Sequence, residues 1–225
     1  MRINKTNCVV RRCIVSNSQP LLIVVKEDER RVLTELGREQ ADRTGKRIAE
    51  MIAGADDKFG PCRVKIVRVS GMKRAKETAD IIASHLPGVD RAEPDGLLNE
   101  GRPAHTIPSG KITPSTVEKW DEQHPKIEEA FQKYFHRAPP PSDEEEPESK
   151  HEFEIIVGHA NVIRYFLCRA LQLPPEAWLR LCIFNCSLTY LTIRPTGSVS
   201  CRMLGDIGHL PYGMSTFSMH HGFNW

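Results

Sequence analysis

The sequence lacks a hydrophobic run long enough to cross a membrane, and neither sign of charge dominates it. The longest apolar run near its start covers only residues 21–25, whereas a membrane-spanning helix needs ~18–20 residues. Among its 225 residues, 31 Lys and Arg stand against 29 Asp and Glu, which leaves a net charge of +2. Such a balance carries no bulk signal for nucleic acid. We therefore expect neither a membrane-spanning segment nor a nucleic-acid partner.

The cysteines lack the spacing of a metal site or of a disulfide framework. There are seven of them, an odd number, and no Cys-x-x-Cys pair occurs. Zinc sites use such pairs, and disulfide-rich domains carry even numbers at regular spacings. We expect reduced, mostly buried thiols and no metal site.

Acidic residues are missing from the first 26 positions, where five basic residues occur. This bias fits a mitochondrial transit peptide, although Ile and Val are frequent for an amphipathic leader helix. It also fits a basic first strand with irregular flanks, and we favour that second interpretation.

Strand and helix patterns alternate along the chain and predict a single α/β domain. The predicted helices cover residues 35–53, 73–85 and 114–136, with a further helix starting near residues 174–175. The predicted strands cover residues 9–15, 63–69, 153–157, 187–193 and 199–204. Thr34 is expected to cap the first helix, and the last two strands are expected to form a hairpin. This order favours a mainly parallel sheet covered by helices on both faces.

Two irregular segments interrupt this alternation. Residues 91–114 are rich in Pro and Gly, and we expect them to form an excursion over the sheet edge. Residues 139–152, PPPSDEEEPESKHE, predict a solvated loop, with an acidic docking surface as the less favoured interpretation. The domain is expected to cover residues 26–211. An atypical segment at residues 1–25 (a degenerate first strand or a replaced exon) would precede it, and an irregular tail at residues 212–225 would follow.

The most informative stretch is IIVGHANVIRYF, residues 155–166. An apolar strand ends at Gly158, His159 follows, and a helical pattern then begins. Ligands of open α/β sheets bind at the carboxyl ends of the strands, and a helix N-terminus attracts anions. His159 is therefore either part of an anion site or a structural histidine at a strand end.

Two other segments carry candidate site residues. Arg74 lies in SGMKRA, directly after the strand at residues 63–69, where a guanidinium can grip two phosphate oxygens. Glu100 lies beside Gly101 in the excursion and can act as a general acid or base if it overhangs a pocket. Taken singly, each also fits an ordinary surface side chain.

Together these segments resemble the histidine phosphatase superfamily, which has the phosphoglycerate mutase-like fold. The matching segments are LTELGREQADRTGKRIA, VSGMKRAKETADIIASHLPG, LLNEGRP, EIIVGHANVIRYFLCRALQLPPEAWLRL and the final hairpin through LGDIGHLP. They cover about residues 30–211 and occur in the family's order. The branch that matches best consists of mitochondrial serine/threonine protein phosphatases. The resemblance implies a three-layer α/β/α sandwich.

The resemblance also implies a role for each candidate residue. In such enzymes a histidine in an N-terminal Arg-His-Gly-like motif attacks phosphorus, and two arginines and a second histidine hold the phosphoryl oxygens. By motif position, Arg74 is the second arginine and His159 the second histidine, so both would bind phosphate and His159 would also be catalytic. Glu100 would be the catalytic carboxylate that protonates the leaving oxygen and later activates water. No metal or other cofactor is implied.

The N-terminal motif lacks its histidine in this chain. The first histidine of the sequence is His85. When the motif is aligned on Ser18 and Gln19, Ser16 stands in place of its arginine and Asn17 in place of the nucleophile. Asparagine is close in size to histidine and can form hydrogen bonds, but it cannot form a phosphoenzyme.

Three explanations of this absence are open. The chain is a pseudophosphatase, or a mispredicted or alternative exon replaces its true first strand, or another side chain substitutes. The loss of resemblance before about Lys26 favours the second explanation. For the third, His105 follows Glu100 in the excursion and is disfavoured, while Ser16 and Cys13 lack an identifiable partner base.

These patterns lead to two functional hypotheses. The first is a phosphatase of the phosphohistidine type that acts on phosphoserine or phosphothreonine in proteins. The second is a catalytically inactive scaffold that binds phosphate groups or partners through Arg74 and His159. A sugar-phosphate mutase is less favoured, because the excursion is short for enclosing a small metabolite. The resemblance implies a phosphorylated protein partner, homo-oligomers and a mitochondrial location.

Overall fold

The computed structural model describes residues 9–16, 31–59, 62–107, 113–136, 151–194 and 196–217. Within these ranges the helices are α1 (Glu35–Phe59), α2 (Lys73–Ala83), α3 (Pro114–Tyr134) and α4 (Ala160–Ala170). The strands are β1 (Val9–Ser16), β2 (Cys62–Val69), β3 (His151–Gly158), β4 (Leu188–Ile193) and β5 (Val199–Asp206). Short 3₁₀ segments cover Gly96–Leu98, Pro175–Arg180 and Tyr212–Met214.

The predicted helices and strands are confirmed, with differences at their ends. The first helix continues to Phe59, beyond its predicted end at residue 53, and the second stops at Ala83 rather than at residue 85. The Thr34 cap is confirmed, because its hydroxyl accepts a hydrogen bond from the Gly37 amide at 3.0 Å. The helix expected near residue 174 is a 3₁₀ segment instead, and its first turn closes from the Ala177 amide to the Pro174 carbonyl.

The five strands in the described residues form one sheet in the order β2-β3-β1-β4-β5. β3 runs parallel to both β2 and β1, β4 runs antiparallel to β1, and β5 runs antiparallel to β4. Four of these strands therefore point the same way and β4 alone opposes them, which confirms a mainly parallel sheet. β4 and β5 form the predicted hairpin.

Helices cover both faces of the sheet, which confirms the three-layer α/β/α sandwich. Ile155 and Val157 of β3 pack into a core with residues of α1 and α2. Ile156, which points to the opposite face, packs into a second core with residues of α3 and α4. Because β3 is buried on both faces, it is apolar at consecutive positions instead of alternating.

The excursion between α2 and α3 is anchored to the rest of the domain. The Asp95 carboxylate accepts hydrogen bonds from Lys133 at 2.7 Å and from the Tyr134 hydroxyl, both on α3. Further along, the Trp178 indole donates to the Ala104 carbonyl at 3.0 Å. These contacts tie the excursion to two separate elements and so restrain the Glu100 loop between them.

Several predictions concern residues outside the described ranges. Asn17 lies outside them, and so does the predicted loop at residues 139–152, except for its last two residues, which belong to β3. Within the described part of the chain, no helix is long and apolar enough to span a membrane. The cysteines whose state is described are free thiols; Cys168 and Cys186 are buried, Cys201 is half-buried and Cys182 is exposed.

Candidate functional site

The carboxyl-terminal ends of the parallel strands β1, β2 and β3 lie side by side at one end of the sheet. Ser16, at the end of β1, is paired with Gly158, at the end of β3, and Val69, at the end of β2, is paired with Val157. Ser70 directly follows β2 and His159 directly follows β3. These side chains, distant in sequence, are therefore brought together at the carboxyl end of the sheet.

His159 is fully buried between β3 and the first residue of α4. Its Nε2 lies 2.8 Å from the Ser70 hydroxyl oxygen, and its Nδ1 lies 3.4 Å from Nη2 of Arg74. Burial and then the positive charge of Arg74 hold the pKa of His159 well below its ordinary value of 6.5. His159 is therefore neutral at physiological pH.

Arg74 is the second residue of α2 and is only 1% exposed. Its Nη2 lies 3.4 Å from Nδ1 of His159, the residue that immediately precedes α4. The site thus combines a buried cation with the N-terminal ends of α2 and α4, whose partial positive charges favour an anion. Arg74 and His159, two of the predicted residues, are in direct contact.

Glu100 directly follows Asn99, whose side chain contacts Ser70. The Asn99 side-chain oxygen accepts a hydrogen bond from the Ser70 hydroxyl at 2.8 Å. Glu100 itself is half-buried, and its carboxylate accepts from the Gly101 amide at 3.2 Å. A side chain at Gly101 would meet Gln123 and Ile127 of α3 at 3.1 Å, so the loop packs closely there because this residue is glycine.

Arg164 was not predicted as a site residue. It donates from Nη1 to the Asn161 side-chain oxygen at 2.9 Å and from Nε to the Leu181 carbonyl at 2.8 Å. Burial lowers the pKa of its guanidinium, and the negative charge of Glu100 opposes that effect. Arg164 is therefore an electrostatic partner of Glu100. Its spacing of three residues from Asn161, on one face of a helix, was the available sequence signal.

The alternative nucleophile His105 lies on the surface. Its ring packs edge-on against Trp120 with centroids 4.3 Å apart, and its Nε2 is 3.7 Å from the Asp121 carboxylate. Asn17, at the motif position, lies outside the described residues, and β1 ends directly before it at Ser16.

A separate cleft of about 540 Å³ lies between α1 and the turn after β5. Its lining includes Arg43, Lys46 and Arg47, each of which is already paired with a carboxylate on α1. None of Ser70, Arg74, Glu100 and His159 lines it, so it is distinct from the strand-end site.

Comparison with known proteins agrees with this geometry. The family model "Histidine phosphatase superfamily (branch 1)" matches residues 24–204, and the chain therefore belongs to that superfamily. Three relatives are named "Serine/threonine-protein phosphatase PGAM5, mitochondrial", with Pgam5 in the nematode name. They come from Caenorhabditis briggsae (46% identical over 84% of this chain), Xenopus laevis (48% over 83%) and Homo sapiens (47% over 80%). The names of these relatives confirm the expected mitochondrial location.

The chain spans 62%, 62% and 57% of the lengths of these relatives. Among solved structures, a phosphoglycerate mutase from Plasmodium falciparum is 32% identical, with a TM-score of 0.58, over 91% of this chain and 95% of that one. An α-ribazole phosphatase from Shigella flexneri has a TM-score of 0.54 over 87% of this chain and 96% of its own, at 14% identity. The second likeness concerns the fold alone.

We expect His159 to make the folded chain less stable in mild acid. Because its folded-state pKa lies well below 6.5, the unfolded chain binds a proton below that pH that the folded chain does not bind. This single group lowers the free energy of unfolding by up to about 1.4 kcal/mol per pH unit below about pH 6. Urea unfolding at about pH 7.5 and about pH 5 measures the effect.

His159→Gln removes this group, so the stability difference between wild type and variant should shrink as the pH falls. His105→Gln, at an exposed position, is the control and should leave the pH dependence unchanged. A difference between wild type and His159→Gln that stays constant over this range would contradict a neutral buried histidine.

Proposed function

We propose that this chain is a serine/threonine protein phosphatase domain of the phosphohistidine type, with Arg74 and His159 as its phosphate-binding residues. The observation that supports this most is the contact between two buried side chains, Arg74 and His159, at the N-terminal ends of two helices. A buried guanidinium beside two helix N-termini favours a bound anion, and a guanidinium matches phosphate geometry.

The proposed reaction assigns one task to each residue. Arg74 stabilises the negative charge of the phosphoryl oxygens, and His159 holds another oxygen of the same group. Where the motif histidine is present, its ring nitrogen takes the phosphoryl group as the P–O bond breaks, and Glu100 protonates the leaving serine or threonine oxygen. Water then attacks the phosphohistidine and releases the histidine and phosphate, and Glu100 takes a proton from that water. Arg164 lies within the electrostatic influence of Glu100, whose negative charge opposes the lowering of the Arg164 pKa by burial.

The proposed reaction needs an attacking histidine near the N-terminal end of the domain, but the sequence contains no histidine before His85. The amide of Asn17 has no lone-pair nitrogen that can form a phosphoenzyme. The second candidate function follows from this observation: a pseudophosphatase that binds phosphorylated proteins or related subunits without hydrolysing them. The relatives' names point to phosphoserine and phosphothreonine proteins in mitochondria as the ligands of either form.

Hydrolysis of an aryl phosphate separates the two functions. A wild-type rate near background would favour the pseudophosphatase, since losing a catalytic nucleophile costs on the order of 10⁵–10⁶ in rate. The double variant Ser16→Arg/Asn17→His restores the motif and should turn over substrate, and adding His159→Ala should abolish that gain. Wild-type turnover above background that His159→Ala lowers would mean that another group attacks. Turnover that His159→Ala leaves unchanged would sink the proposed site.

Inorganic phosphate tests the binding site without catalysis. A ligand at 100 times its Kd stabilises a folded protein by about 2.7 kcal/mol, so millimolar phosphate should raise the Tm of the wild type. Arg74→Gln should lose this shift, whereas Arg91→Gln, which breaks the surface ion pair with Asp80, should keep it. An equal shift in both variants would place the phosphate elsewhere, and no shift in the wild type would count against both functions.

Self-association is part of the same proposal. In the sheet formed by the described residues, β5 is an edge strand, and Leu204 on it is 41% exposed. An edge strand with an exposed apolar side chain can pair with another copy. We expect sedimentation velocity to show a species larger than the 25.5 kDa monomer that Leu204→Lys reduces. A monomer at all concentrations would refute this point alone.

A further inference from the structure

The Ser70 hydroxyl is surrounded by three polar groups in a buried setting. Its Oγ lies 2.8 Å from Asn99 Oδ1, 2.8 Å from His159 Nε2 and 3.2 Å from the Met72 amide nitrogen. Asn99 Oδ1 can only accept, so the single hydroxyl proton points to Asn99. The oxygen is then left to accept from the Met72 amide and from His159.

These contacts determine which nitrogen of His159 carries the proton. Since the Ser70 oxygen accepts from Nε2, that nitrogen is protonated. Nδ1 faces Nη2 of Arg74 at 3.4 Å, and a guanidinium only donates, so Nδ1 presents its lone pair. The 2.8 Å contact with Ser70, which directly follows β2, thus fixes this tautomer, and the longer contact with Arg74 is compatible with it.

This tautomer has a consequence for anion binding. Nδ1 is the nitrogen on the side of Arg74, and a lone pair there repels a phosphate oxygen instead of binding it. We propose that Ser70, oriented by Asn99, is a positioning residue that keeps a proton on Nε2, so that Nδ1 takes up a second proton when a phosphate group binds. The inference rests on the proposed phosphate site.

The alternative, in which the proton moves from Nε2 to Nδ1, breaks the surrounding hydrogen bonds. The Ser70 hydroxyl would have to turn to Nε2, and the half-buried Asn99 Oδ1 would lose its hydrogen bond from Ser70. Proton uptake at Nδ1 keeps every bond of Ser70 and adds a donor for the ligand.

The charges around His159 explain why Nδ1 is protonated only when the phosphate is bound. Arg74, from α2, is the charged group in the described residues whose field acts on the imidazole, and it opposes protonation together with burial. Glu100 acts on Arg164. A phosphate dianion beside Arg74 reverses the local field, and an imidazolium then forms two charge-assisted contacts, one to Ser70 and one to the ligand.

Nitrogen-15 NMR of the histidine rings in the full chain tests this directly, with His159→Gln used to assign the signals. In the free wild type we expect a protonated Nε2 and an unprotonated Nδ1. Ser70→Ala should populate the Nδ1-protonated form as well. The control Thr78→Val removes another buried hydroxyl, which donates to the Arg74 carbonyl at 2.9 Å, and should leave the tautomer unchanged. On addition of inorganic phosphate, both nitrogens of the wild type should become protonated.

The outcomes separate this inference from the proposed function. A free wild type protonated on Nδ1, or a Ser70→Ala spectrum like that of the wild type, overturns the positioning role. Phosphate that binds while Nδ1 stays unprotonated, or that moves the proton off Nε2, overturns the uptake step. If phosphate does not bind but Ser70→Ala still shifts the tautomer, the proposed phosphate site falls and the positioning role stands.

Discussion

The 2.8 Å contact between Ser70 and His159 is the interaction on which the site depends. It joins the ends of β2 and β3, neighbouring parallel strands whose last pairing is Val69 with Val157. Since α2 begins shortly after Ser70 and α4 directly after His159, the same contact places two helix N-termini side by side. Arg74, in the first turn of α2, is thereby brought against the imidazole. Loss of this register would separate the cation, the histidine and both helix ends at once.

Ser70 and His159 are buried and Asn99 is half-buried, so the polar groups of this cluster need partners. Ser70, His159 and Asn99 meet that need among themselves, and a satisfied network of this kind is stiff in a low-dielectric interior. The cationic part is different, because burying a guanidinium is costly and two helix dipoles of the same sign add to that cost. An anion relieves both. In the proposed site, phosphate binding does not require a nucleophile, so recognition and hydrolysis are separable under this proposal.

Much of the fold could be predicted because its signals are local. The helix caps, the apolar stripes and the uninterrupted apolar run of β3 each lie within a few residues of one another. The 3₁₀ segment after α4 was harder to predict, since two prolines at the start of a helix are compatible with an α-helix or a 3₁₀ helix. Arg74 and His159 could be proposed as site residues because each follows a strand and begins a helix. Ser70 and Asn99 lie in the same motifs but had no assigned role, because their hydrogen bonds join residues 29 and 89 positions apart.

The sequence by itself determined the order of strands and helices, the family to which the chain belongs, and the absence of a histidine before His85. These properties depend on residue identity and short-range spacing. The tertiary structure alone decided that Arg74 meets Nδ1, that the hydroxyl of Ser70 meets Nε2, and that Arg164 lies within the electrostatic influence of Glu100. Hydrogen bonds and charge effects act over a few ångströms, and only strand register and helix packing bring such distant residues within that range.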